Sequence, residues 1–159
     1  MKSATIHEIK QELVTLKPAT LIDLCLRLGR FKKENKELLT YLLFEAHNEA
    51  GYISGIKEEI DEQFAAINSS HLYFAKKSLR KIVRLINKYC RYSGSKQSEI
   101  ELRIYFCNQL KSSGIPFERN TVITNLYLSQ LKKINTVLNT LHEDLRYDYR
   151  KELDAMITD

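Results

Sequence analysis

Apolar residues recur at intervals of three and four along most of the chain, the spacing that collects them on one face of an α-helix. Thr5, with Glu8 three residues on, reads as a capping box opening a first helix on Ile6, Ile9, Leu13 and Leu16. Pro18 suits the first turn of a second helix on Leu21, Ile22, Leu24, Cys25 and Leu28, and Gly29 suits its C-terminal cap. A third helix is expected from about Asn35 to His47 on Leu38, Leu39, Leu42, Leu43 and Ala46, after which Gly51 breaks or bends the chain. A fourth uses Ile53, Ile56, Ile60, Phe64 and Ile67 and ends in Asn68-Ser69-Ser70.

The fifth helix, Leu72 to Tyr92, has the sharpest pattern. Lys76, Lys77, Arg80, Lys81, Arg84, Lys88 and Arg91 fall within an arc of about 140° and follow one another along about 22 Å of helix axis. Leu72, Ala75, Leu79, Ile82, Val83, Leu85, Ile86, Tyr89 and Cys90 occupy the other side, and no acidic residue interrupts the stretch. Ser98 with Glu101 predicts a second capping box and a sixth helix that ends at Gly114 and Pro116. Inside it Ile100, Leu102, Ile104 and Phe106 alternate with Glu101, Arg103 and Tyr105, the period of a strand. The run continues through Cys107, Gln109 and Leu110 without a turn, and the chain has no second such run to pair with, so helix is the expectation. Residues 120–157 contain neither Gly nor Pro and predict one long helix or two joined near Asn139 to Glu143. The helix starts are unevenly spaced and no residue pattern repeats, which argues against a solenoid. The expected fold is all-α, an irregular bundle of seven or eight helices in a single domain covering residues 1–159.

Composition agrees: 43% hydrophobic and 28% charged residues are globular values, while 5 Gly and 2 Pro leave little material for many hairpins. The net charge is +5, less than the seven cations of the fifth helix alone, so the basic balance has a local origin. Cys25, Cys90 and Cys107 are odd in number and each falls within a predicted helix among apolar neighbours. That pattern fits buried, protonated thiols rather than a disulfide framework. The start, Met1-Lys2-Ser3-Ala4-Thr5, lacks the apolar core of a signal peptide, and the longest apolar run, Leu38 to Phe44, is far short of a membrane span. A cytoplasmic location is the expectation.

Ile9-Lys10-Gln11-Glu12-Leu13, Leu16-Lys17-Pro18-Ala19-Thr20-Leu21-Ile22-Asp23-Leu24 and Lys36-Glu37-Leu38-Leu39-Thr40-Tyr41-Leu42 carry a resemblance. It extends more faintly through Ala75-Lys76-Lys77 to Glu101-Leu102. Over roughly residues 6–102 the chain resembles an uncharacterised family of small all-helical bacterial proteins. The resemblance implies an all-α protein of the bacterial cytoplasm and no activity, cofactor or site residue.

No motif for catalysis stands out. His7, His47, His71 and His142 include no Glu-x-x-His or His-Glu-x-x-His arrangement, and no two cysteines have zinc spacing. Glu45 and Glu49 share a helical face, but His47 points about 200° away from Glu45, which scatters the ligands. Gly51 and Gly55 form a Gly-x-x-x-Gly, which in such a chain marks a helix boundary or a close helix contact. No metal, cofactor or catalytic residue is therefore expected. The candidate site is the basic face Lys76, Lys77, Arg80, Lys81, Arg84, Lys88 and Arg91. Its first reading is a protein contact, self-association in the simplest case, to which Glu58, Glu59, Asp61 and Glu62 on the preceding helix are complementary. Within one molecule the same acids would partly neutralise the face. The alternative is sequence-independent binding of nucleic-acid phosphates, against which stands the lack of interleaved aromatics: Tyr73 and Tyr92 only flank the cations.

Overall fold

The structure, a computed structural model, describes residues 2–68 and 71–158, with side chains up to Ala155. Among these it is all-α, with eight helices and no strand. The helices are α1 (Ile6–Thr15), α2 (Pro18–Phe31), α3 (Lys33–Thr40), α4 (Glu49–Ala65), α5 (Leu72–Ser93), α6 (Lys96–Ser112), α7 (Thr121–Leu138) and α8 (Glu143–Thr158). A π-helical turn, Tyr41–Glu45, follows α3, and a 3-10 turn, Phe117–Arg119, precedes α7. They group into two compact units, residues 1–44 and residues 45–159.

In the first unit α1 opens on the expected capping box: the Glu8 N–H donates to the Thr5 hydroxyl at 3.2 Å and the Thr5 N–H donates to the Glu8 carboxylate at 2.7 Å. That backbone donor holds the Glu8 carboxyl below its ordinary range. Pro18 occupies the first turn of α2 as expected. Gly29 does not cap α2, which continues to Phe31. It lies where α3 comes closest, and a Cβ there would sit 3.1 Å from the Leu39 Cδ1. The chain reverses instead at Lys32, a single extended residue, and the Asn35 amide donates to the Leu28 carbonyl at 2.8 Å.

The third helix is also shorter than the apolar spacing implies. It gives way at Tyr41 to the π-turn, and the break falls at residues 46–48, not at Gly51. Asn48 caps α4 by accepting the Gly51 N–H at 3.1 Å, so Gly51 lies inside the first turn of the helix. Any Cβ at Gly51 would clash with the Asn48 amide, which is what makes glycine the suitable residue. Gly55 faces open space, so the Gly-x-x-x-Gly spacing makes no close helix contact.

The second unit is built round α6, against which α4, α5 and α7 all pack. Ile100, Leu102, Ile104, Phe106, Cys107 and Leu110 are all buried on it. The strand-like alternation is two interleaved i,i+4 stripes about 200° apart: Ile100 with Ile104, and Leu102 with Phe106. With α4, α5 and α7 packed round α6 both stripes are buried, so a central helix imitates the period of a strand. Its start differs from expectation. Gly94, at φ 68°, turns the chain left-handed and leaves Ser95 as the cap, accepting the Ser98 N–H at 3.2 Å. Ser98 is therefore inside the helix and buried. Residues 120–157 form two helices. Arg146 of α8 donates to the Asn139 and Leu141 carbonyls at 3.3 and 3.0 Å, satisfying backbone acceptors that α7 leaves free where it ends. No glycine or proline is needed for that break.

Candidate functional site

The cationic face is carried by a helix held from behind. Ala75, Leu79, Ile82, Val83, Ile86 and Cys90 of α5 are buried against the rest of the second unit. Gly94 closes the C-terminus, and Arg91 in the last turn suits the negative end of the helix dipole. The N-terminus has no side-chain cap and no acid in its first turn. The orientation of α5 thus rests on its apolar stripe, which turns the opposite arc to water.

On that arc Lys77, Arg80, Lys81, Arg84 and Arg91 are exposed, while Lys76 and Lys88 are half-buried. Among the described residues Lys76, Lys77, Arg80, Lys81, Arg84 and Arg91 have no ion pair. The Lys88 ammonium lies 4.7 Å from the centre of the Tyr89 ring. The acids of α4 do not neutralise these six cations through ion pairs. Glu59 accepts the Tyr89 hydroxyl at 2.9 Å, and Asp61 accepts the Tyr105 hydroxyl at 2.6 Å. Burial, followed by this contact with Asp61, pushes the Tyr105 phenol above its ordinary range.

Folding brings Val122, from another helix, beside the cations. Tyr73, Lys76, Lys77, Arg80 and Arg84, with Val122 from the start of α7, line an open recess of about 350 Å³. Tyr73 is 72% exposed. In the sequence it stands before the first cation, yet one helical turn places it at the mouth of the same recess. An anionic group entering there would meet four cations, a phenol ring and an apolar edge.

Two polar clusters elsewhere serve packing. Arg103, buried on α6, donates to Glu99 at 2.9 and 2.6 Å, to Gln130 at 2.6 Å and to Asn87 at 3.0 Å. The Glu49 carboxylate, at the start of α4, accepts the hydroxyls of Ser93 and Ser98 and so ties α4 to the turn between α5 and α6. Nearby Lys57 pairs with Glu101 at 2.6 Å. Glu45, His47 and Glu49 do not converge, and among the described residues no three His, Cys, Asp or Glu side chains are placed to hold a metal ion.

Cys90 and Cys107 are buried as the pattern implies, and burial pushes both thiols up to about 12. Cys25 is exposed on α2, contrary to expectation, because nothing in the first unit packs over it. Among the described residues no helix is long and apolar enough to cross a membrane. Comparison with protein-family models, curated proteins and solved structures finds no match for the chain.

Proposed function

We propose that this chain is a non-enzymatic interaction module that engages an acidic protein surface through the Lys76–Arg91 face of α5. The observation that carries the reading is the set of six cations without ion pairs on a helix fixed by six buried side chains. Surface lysines and arginines that only solubilise a protein need no common direction; these share one. Beside them Tyr73, Phe74 and Val122 are 72%, 55% and 39% exposed, so the charged arc ends in an apolar patch. An aromatic anchor beside cations is the composition of a protein-binding surface. The face does not suit a second copy of itself, because seven like charges would meet seven others.

A second reading, binding of nucleic-acid phosphates, is supported by the Tyr73 recess, where a base could stack while its phosphates meet Lys76, Lys77, Arg80 and Arg84. One titration separates the two. The purified chain is measured by fluorescence anisotropy against short single- and double-stranded DNA and against a labelled peptide alternating Glu and Leu, across a salt series. Peptide binding that is tighter than DNA binding and falls less steeply with salt supports the protein reading. DNA binding whose logarithmic salt slope is near −0.9 per phosphate supports the second. Binding to neither probe at low salt removes both.

A further inference from the structure

We infer that residues 6–44 are a self-association module, in which a second copy of this chain lays its α1 against the uncovered apolar flank of α2 formed by Leu24, Leu28 and Phe31. This surface is separate from the cationic face and does not depend on what that face binds.

Between residues 2 and 44 the only buried side chain is Tyr41. Twelve large apolar side chains of the same stretch are between 37% and 82% exposed, led by Ile6, Val14 and Phe31. A unit of this size with so little buried has little of its own to offset the entropy of ordering its helices. On α2 the apolar residues span an arc of about 220°, far wider than one neighbouring helix covers. Helix α3 meets α2 along the line of Gly29, where Leu38 and Leu39 are half-buried. That leaves two flanks, Ile22 with Leu26 on one side and Leu24, Leu28 and Phe31 on the other.

Helix α1 has the matching feature, an amphipathic stripe that is only partly covered. Ile6, Ile9 and Leu13 are all exposed, and α1 has no extensive packing on α2 or α3. The link between α1 and α2, Leu16 and Lys17, is extended at both residues and runs straight into Pro18, so it is short and stiff. A helix on a short stiff link, with little packing on its own unit, is suited to exchange between copies. Exchange is isologous, so each copy gives one α1 and receives one, and the assembly closes at two.

Two further points favour a second copy as the occupant. The exposed apolar surface is on the order of 800–1,000 Å², about what one partner contributes to a stable interface. The charged residues of α1 and α2 are mixed in sign (Glu8, Lys10, Glu12, Asp23, Arg27, Arg30), so two copies meet no like-charge barrier.

The test is sedimentation of the full chain across concentration. Twice the 18.6 kDa chain mass is expected at micromolar protein. The pair Leu28→Glu and Phe31→Glu on α2, and separately Ile9→Glu and Leu13→Glu on α1, are each expected to weaken the dimer at least roughly 100-fold, because charge is buried without a partner. Mixing the two variants restores one of the two exchanged contacts and should recover a weaker dimer, a result general unfolding cannot produce. Far-ultraviolet circular dichroism checks that both variants keep their helices, and the mass of the unaltered chain decides the matter even if they do not. A chain that stays monomeric at roughly 100 µM, far above the Kd of a standard-size interface, overturns the proposal. So does a dimer that survives both variants, a mixture that fails to associate, or a dimer lost on changing Arg80, Lys81 and Arg84 to Glu. A monomer that instead binds neutral phosphatidylcholine vesicles overturns it in favour of a lipid surface.

Discussion

Arg103 shows how a single residue can be visible in a sequence without its role being so. It occupies a polar position in an alternating run, yet its guanidinium is buried and its partners come from three helices: Glu99 on α6, Asn87 on α5 and Gln130 on α7. Arg103→Ala leaves those partners facing an apolar interior. We expect a loss of about 3 kcal/mol in urea denaturation, the low end for a broken buried ion pair, because Glu99 keeps part of its exposure to water. The buried thiols make a second prediction at this scale. Cys90 and Cys107 are neutral in the fold up to about pH 12, whereas an unfolded thiol ionises near 9.0. Above pH 9 the unfolded chain therefore holds fewer protons than the native one, and stability falls as pH rises towards 12. The urea midpoint of the native chain should drop across that window, and that of a Cys90→Ala, Cys107→Ala variant should drop less. An equal drop in both would show that other groups carry the effect.

At the scale of the helix, Gly51 and Gly55 look equivalent in the sequence and are not in the fold. Gly55 faces open space within α4, so Gly55→Ala should stabilise by up to about 1 kcal/mol through helix propensity alone. Gly51 lies against the Asn48 amide that caps the helix, so Gly51→Ala displaces the cap, which is worth about 1 kcal/mol, and adds a clash. That variant should melt lower than the native chain while Gly55→Ala melts higher. Thermal denaturation of the two side by side decides it, and a Gly51→Ala variant that melts higher would show that Asn48 is not the effective cap. The break between α7 and α8 follows the same logic. The sequence leaves one helix or two open, and Arg146, reaching back to the carbonyls of Asn139 and Leu141, settles it by a contact that spacing does not reveal.

For the whole molecule, the question is which surfaces are fixed by the core and which are left over. The cationic arc of α5 is left over from the core of the second unit. Replacing Arg80, Lys81 and Arg84 with Glu should change unfolding free energy by less than about 0.5 kcal/mol per position, because all three are exposed and without ion pairs. Circular dichroism melts test this, and a collapse of the fold would mean that the face is a structural one. The apolar flanks of α2 are of another kind. They look like core in the sequence and are exposed, the reverse of what α6 does with a similar composition.

Local chemistry that acts within a few residues was legible in the sequence: the Thr5 and Glu8 box, Pro18 at the start of α2, the all-α class and the one-sided charge of α5. Each depends on helical periodicity or on a contact with a residue three or four away, and both are written in the order of residues. What only tertiary structure decided depends on neighbours far along the chain. The α4 and α6 caps, Asn48 and Ser95, are local contacts too, but the sequence offers neighbouring candidates for each, and only the structure shows which one is used. Val122 joins Tyr73 and the cations because α7 begins beside them. The apolar residues of α6 are covered and those of α2 are not, and hydropathy cannot distinguish the two. Apolar periodicity states that a face must be covered; only the fold shows whether the same chain supplies the cover.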